Sequence, residues 1–136
     1  MEWLYNNERF ELSDRDYYGF VYLITELDTQ KKYVGKKFFW SKKTLPPLKG
    51  QKRKRRSLVE SDWKTYYGSS EKLQEALTKG LHHYKREILH LCKTKGECAY
   101  FEAKEQFERN VLLRDDYYNG IISCRINRRS VAHLDG

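Results

Sequence analysis

Three consecutive pieces constrain the fold most. They are Gly19-Phe20-Val21-Tyr22-Leu23-Ile24, the polar Leu27-Asp28-Thr29-Gln30, and Lys32-Tyr33-Val34-Gly35-Lys36-Lys37. Strand formers fill the first piece without clean alternation, as in a strand buried on both faces. The polar piece supplies a turn, and the third piece returns as a second strand. Each strand carries one tyrosine, Tyr22 and Tyr33. From Lys31 to Arg56 there are twelve Lys or Arg residues and no acid. A small sheet that presents phenols beside such a segment points to work on a phosphate backbone.

At 136 residues the chain is read as one domain, 1–136, with one core over about 18–125. The net charge of +8 and pI of about 9.3 favour an anionic partner, nucleic acid first and an anionic membrane surface second. Tyrosine is frequent, with 11 copies. Such rings fill a core while keeping a polar tip wet, or stack on bases and sugars. No apolar run is long enough for a helix to span a bilayer, and with nucleic acid preferred no membrane is expected as a partner. The first residues lack the charged lead and apolar core of a secretory signal. Three cysteines, Cys92, Cys98 and Cys124, lack paired zinc-ligand spacing. Reduced thiols and a cytoplasmic location are expected.

Residues 1–17 read as an arm that packs Trp3, Leu4, Phe10 and Leu12 onto the domain, with a polar patch at 13–16. A long basic loop is expected over about 38–56, because Leu45-Pro46-Pro47-Leu48-Lys49-Gly50 suits neither helix nor central strand. Ser57 to Tyr66 is read as opening a short helix. The next helix covers Glu71 to Lys79, capped by Ser69 or Ser70 and ended by Gly80. Tyr84 to Leu91 is a third strand. Glu97 to Leu113 is the best helix, with Tyr100, Ala103, Phe107, Asn110 and Val111 along one face. The fold class is α/β in the α+β sense: a small, three-stranded, mostly antiparallel sheet flanked by helices.

Phe20-Val21-Tyr22, ten intervening residues, and Tyr33-Val34-Gly35 resemble the paired motif of the GIY-YIG nuclease family. The first half departs from it: Phe20 stands at the motif's glycine, and Gly19 sits one residue earlier. The order of elements after the motif agrees with the family over about residues 18–125. The likeness is greatest to small stand-alone nucleases of phages and mobile elements, including homing endonucleases. It implies a metal-dependent endonuclease acting on DNA, expected to be double-stranded, with Mg2+ or Mn2+ as cofactor.

The resemblance also implies a metal-binding glutamate on the helix over 97–113. Glu108 follows Phe107 and has Val111 and Leu112 three and four positions on, so it reads as the inward carboxylate. Glu102 and Glu105 have polar neighbours at those positions and read as solvent-facing. Asn119 matches the family's closing asparagine. By the same resemblance Tyr22 is the base or base relay and Tyr33 the positioning group. Nearby cations and a bound metal would have to lower the phenol's pKa from about 10, and the basic neighbourhood offers that. The family's arginine falls near Arg55 and Arg56, with Lys36 or Lys37 sharing its role. Contacts to nucleic acid are expected from Lys37, Lys42, Lys43, Lys52, Arg53, Lys54 and Asn119. His82, His83 and His90 are alternative bases. Trp63, Tyr66 and Tyr67 are read either as stacking platforms for a sugar or base or as core. The rival reading is an inactive or RNA-directed binding module that uses the basic loop. Sequence selection falls to the loop, the termini or a second subunit in a homodimer.

Overall fold

The computed structural model describes residues 2–12, 16–68, 70–78, 84–132 and 134. Part of the polar patch at 13–16, Ser69 as a cap, Lys79, Gly80, His82 and His83 lie outside the described residues. The strands are β1 (Trp3–Tyr5), β2 (Glu8–Arg9), β3 (Gly19–Glu26), β4 (Lys32–Phe38), β5 (Trp40–Leu45), β6 (Arg55–Glu60) and β7 (Tyr84–Cys92). The helices are α1 (Glu71–Leu77), α2 (Lys95–Glu108) and the short α3 (Arg128–Val131).

The main sheet has the order β2-β1-β7-β3-β4. Three strands were expected, and the described residues give five. The extra pair is the N-terminal arm, whose β1 runs parallel to β7 with Trp3 opposite Arg86. Trp3 explains the addition: its buried ring packs against Phe20 and Tyr22, and its indole N–H donates to the Trp63 carbonyl at 2.7 Å.

β3 is an interior strand, between β7 and the edge strand β4, and is buried along nearly its whole length. Side chains alternate across a sheet, so Phe20, Tyr22 and Ile24 face one core with Trp3, Phe39, Trp63, Leu73 and Ile88. Val21 and Leu23 face the other, with Val34, Cys92, Cys98 and Val111. α2 packs on this second side. Phe20, the departure from the motif, is fully buried between Trp3 and Phe39. It keeps its register opposite Lys37 and Leu91. The sheet's irregularity lies one step on, between Val21 and Tyr22 against β7. Gly19 is needed where it stands: a Cβ there would come within 2.7 Å of the Lys37 carbonyl and 2.9 Å of Cys98 Sγ.

β4 is an edge strand, and its first half is covered. Lys32 N–H donates to the Asp116 carbonyl at 2.8 Å, and Tyr118 N–H donates to the Lys32 carbonyl at 2.7 Å. The Asn119 amide continues the pattern: Val34 N–H donates to Asn119 Oδ1 at 3.0 Å, and Asn119 Nδ2 donates to Val34 O at 2.8 Å. Covering an edge in this way removes an open template for pairing with another chain.

The segment expected to be a basic loop is instead an antiparallel ribbon. β5 and β6 pair over six rungs, from Trp40 opposite Glu60 to Leu45 opposite Arg55. The prolines fall in the connection between the strands, where no ladder bond is lost. β6 also replaces the helix expected over 57–66. Only a single helical turn, Trp63–Thr65, remains. α2 begins at Thr94, whose side chain accepts from Glu97 N–H at 3.1 Å, and ends at Glu108. Asn110, at φ 54°, turns the chain away. The helix therefore stops short of Leu113, and its buried face carries Cys98, Ala103 and Gln106, whereas Phe107 is 61% exposed.

Candidate active site

An open cleft of about 290 Å³ lies at the second half of β4, lined by Tyr33, Lys36, Lys37, Trp40, Ser41, Ser61 and Glu102, with Phe38 between them. It wraps around the edge strand. Alternation places Tyr33, Gly35 and Lys37 on the Tyr22 side and Lys36 on the α2 side. Both sides of the strand thus contribute cations to one depression.

Glu102 is the carboxylate that reaches the cleft. Its side chain is 13% exposed, and Lys36 Nζ donates to Glu102 Oε1 at 3.1 Å. The expected assignment of the helix face is reversed. Glu108 is exposed at the last turn of α2 and does not line the cleft, because the helix is phased on Cys98, Ala103 and Gln106, with Phe107 and Leu112 turned outward. Glu105 is turned to a different neighbour set: it accepts from Arg109 Nε at 2.8 Å and lies 3.0 Å from His90 Nε2. Burial pushes the Glu105 carboxyl up, but those two partners more than offset it and the net shift is down. His90 also stacks on Phe101 at 4.4 Å, so the structure spends it on the back of α2. A signal for Glu102 exists in the sequence: Cys98, Glu102 and Gln106 recur every four residues, which places the acid on the buried stripe.

Tyr22 and Tyr33 lie close together, with ring centroids 6.1 Å apart, but in different settings. Tyr33 borders the cleft and also a second depression lined by Ser70, Glu71, Tyr118 and Asn119. Tyr22 is fully buried beneath it. Its ring crosses Gly35, where a Cβ would approach Tyr22 Cζ to 2.6 Å and overlap the hydroxyl. Its pKa is raised well above 10 by burial first, then by Tyr66, Tyr33 and Glu102. Burial and the neighbouring phenols set the direction of this shift, while Lys36 and Lys37 are paired with Glu102 and Asp62. Burial thus favours the protonated phenol, whose hydroxyl shares a hydrogen bond with Tyr66.

Tyr66 forms the floor under Lys37, whose Nζ lies 4.2 Å from the ring centroid and 2.6 Å from Asp62 Oδ1. That hydrogen bond from Lys37 is the main cause of the lowered Asp62 pKa. Arg86 positions the segment. Its Nη1 donates to the carbonyls of Lys64 and Tyr66 at 3.0 and 2.9 Å, and its guanidinium lies over the rings of Trp3 and Tyr67. Trp63 is core.

The remaining candidates divide by position. Lys36 and Lys37 line the cleft. Arg55 and Arg56, the expected arginines, do not: they are exposed at the far end of the ribbon. Lys42 and Lys43 are exposed on β5, and Lys52, Arg53 and Lys54 are exposed in the connection. Asn119 is buried, and its amide is committed to Val34. It clamps β4 through those two hydrogen bonds. Among the described residues no three His, Cys, Asp or Glu side chains gather as a metal cage. A lone carboxylate fits a hard cation that keeps most of its water, such as magnesium, and does not fit zinc.

The α/β scaffold thus brings a tyrosine pair, a shielded carboxylate and basic walls together at the edge of a mixed sheet. The chain belongs to the GIY-YIG endonuclease family. The family model described as "Putative endonuclease segE, GIY-YIG domain" matches residues 3–122. Comparisons with curated proteins and with solved structures give no match.

Proposed function

We propose that the protein is a metal-dependent endonuclease that hydrolyses phosphodiester bonds of DNA in the cleft between β4 and α2. One observation carries the reading: Glu102 is a shielded carboxylate facing a cleft whose other charged walls are Lys36 and Lys37. A protein that only bound a polyanion would gain nothing from an acid there.

Glu102 is the residue that would hold a divalent ion. When bound, such an ion neutralises phosphoryl charge and lowers the pKa of a coordinated water. The chain's own groups do the rest. Lys36 and Lys37 hold the phosphoryl oxygens as charge builds on them. The Tyr33 hydroxyl, at the rim, orients the attacking water. Tyr22 stays protonated, supports Tyr66 by its hydrogen bond, and so fixes the floor on which Lys37 rests. Tyr22 is a positioning residue in this scheme, not the base.

The Lys36–Glu102 ion pair favours the rival reading in one respect, since it neutralises the acid as a binding module would. Supercoiled plasmid separates the two. Wild-type protein with Mg2+ or Mn2+ is expected to nick it, Tyr33→Phe to nick it more slowly, and Glu102→Gln to leave it intact while still shifting it in a gel. Wild-type protein that shifts plasmid but never nicks it with either ion would establish the binding module instead.

A further inference from the structure

We propose that the β5–β6 ribbon enters the major groove of the duplex whose backbone lies in the cleft, so that this element reads the DNA while the cleft cuts it. The inference rests on the nuclease reading for the identity of the ligand, and on the ribbon's own geometry for the groove.

The ribbon carries positive charge on both faces. Register and alternation put Ser41, Lys43, Leu45, Arg55, Ser57 and Val59 on one face and Trp40, Lys42, Thr44, Arg56, Leu58 and Glu60 on the other. The connection adds Lys52, Arg53 and Lys54, all exposed. No acid occurs between Lys31 and Arg56. Glu60, at the root, is occupied by Trp63 Nε1 at 2.8 Å. An element meant to pack on its own domain would gather its apolar residues on one face, whereas here Leu45 and Val59 lie on one face and Trp40 and Leu58 on the other, each interleaved with cations.

The root is rigid. Phe39 is fully buried, Ser61 N–H and Oγ donate to the Phe39 and Phe38 carbonyls at 2.7 and 2.6 Å, and Trp40 Nε1 donates to the Tyr17 carbonyl at 3.1 Å. A two-stranded ribbon standing away from a core is marginal by itself. A partner that fills both its faces would stabilise it.

Width selects the groove. Paired strands lie about 4.8 Å apart before side chains are added. That body fits the major groove of B-form DNA, about 12 Å wide, and not the minor groove at about 6 Å. The deep, narrow major groove of A-form RNA excludes it. Reach follows from length. Six residues at about 3.3 Å span about 20 Å, or roughly six base pairs at about 3.4 Å each. Ser41 lines the cleft and shares a face with Lys43 and Arg55, so groove contacts run continuously from the cut phosphate.

The test is binding in EDTA, followed by fluorescence anisotropy on a random-sequence DNA duplex and on the matching RNA duplex. Methyl green is the major-groove competitor and netropsin the minor-groove competitor. Wild-type protein should bind DNA at least about tenfold more tightly than RNA, and methyl green alone should displace it. The Lys43→Ala/Arg55→Ala variant should lose sensitivity to methyl green, and its log-log salt slope should fall by about 2, near 0.9 for each lost phosphate contact. Lys43→Arg/Arg55→Lys should restore both, which separates lost contacts from a misfolded ribbon. Displacement by netropsin instead, equal affinity for RNA, or an unchanged response in the alanine variant would overturn the proposal. Plasmid nicking is followed in parallel. Nicking without sensitivity to methyl green rejects the ribbon's role alone, and sensitivity without nicking rejects the nuclease reading alone.

Discussion

The cleft and the ribbon both carry lysines, and they are built on opposite plans. In the cleft each cation is held: Lys36 by Glu102, and Lys37 by Asp62 and the face of Tyr66. The scaffold beneath is locked by Gly35 against Tyr22 and by Asn119 against Val34. On the ribbon the cations are exposed along two strands and their connection, and the acid of the ribbon, Glu60, sits at its root. Preorganised groups suit chemistry, where a small misplacement is costly. Exposed, long-reaching charges suit capture and alignment of a polyanion.

The sharpest way to break this contrast is at the two glutamates of α2. Glu102→Gln should lower the plasmid-nicking rate on the order of 10²-fold or more, the scale for removing one charge-stabilising group from a transition state. Glu108→Gln should leave it within about threefold, as for an exposed side chain outside the cleft. Equal losses would mean that the cleft is misassigned. Next comes the clamp. Asn119→Ala removes two hydrogen bonds to a buried strand and should destabilise the fold by about 1–3 kcal/mol, read from urea unfolding. A change confined to DNA affinity, with stability intact, would return Asn119 to the nucleic-acid interface.

Gly35→Ala should cost a similar or smaller amount, about 1–3 kcal/mol, as an added methyl meets the Tyr22 ring. Gly35→Ala/Tyr22→Phe should recover part of it, since the ring then ends without the overlapping hydroxyl. A double variant no more stable than Gly35→Ala would place the strain elsewhere. The smallest effect is alkaline. Tyr84 is raised to about 12, by burial first and then by Glu26. A phenol with a raised folded pKa contributes its full share of stability below about 10, where the unfolded phenol titrates. That share is lost as pH climbs from about 10 to about 12. Denaturation midpoints across that window should fall for wild type and fall less for Tyr84→Phe.

Much of the scaffold was legible in the chain. Crowded strand formers over 20–25 announced an interior strand, and Tyr33-Val34-Gly35 announced its neighbour. The alternation of Tyr84, Arg86 and Ile88 was visible as a half-buried strand. The ribbon was missed because Pro46, Pro47 and the polar run around them suppress any local strand signal, and pairing across the connection is a non-local event. Phe107 misled for a related reason. A large apolar residue usually marks the buried face, but α2 seats Gln106 instead, whose Nε2 donates to the Val34 carbonyl at 3.1 Å.

The sequence by itself determined the family, the tyrosine-bearing strand pair and the concentration of positive charge, because each is written in contiguous residues. Only the tertiary structure decided which glutamate faces the cleft, that Tyr22 is buried beneath Tyr33, that Asn119 clamps a strand edge, and that the basic run is a ribbon. Those outcomes depend on helix phase, strand register and burial, and all three are set by residues tens of positions away.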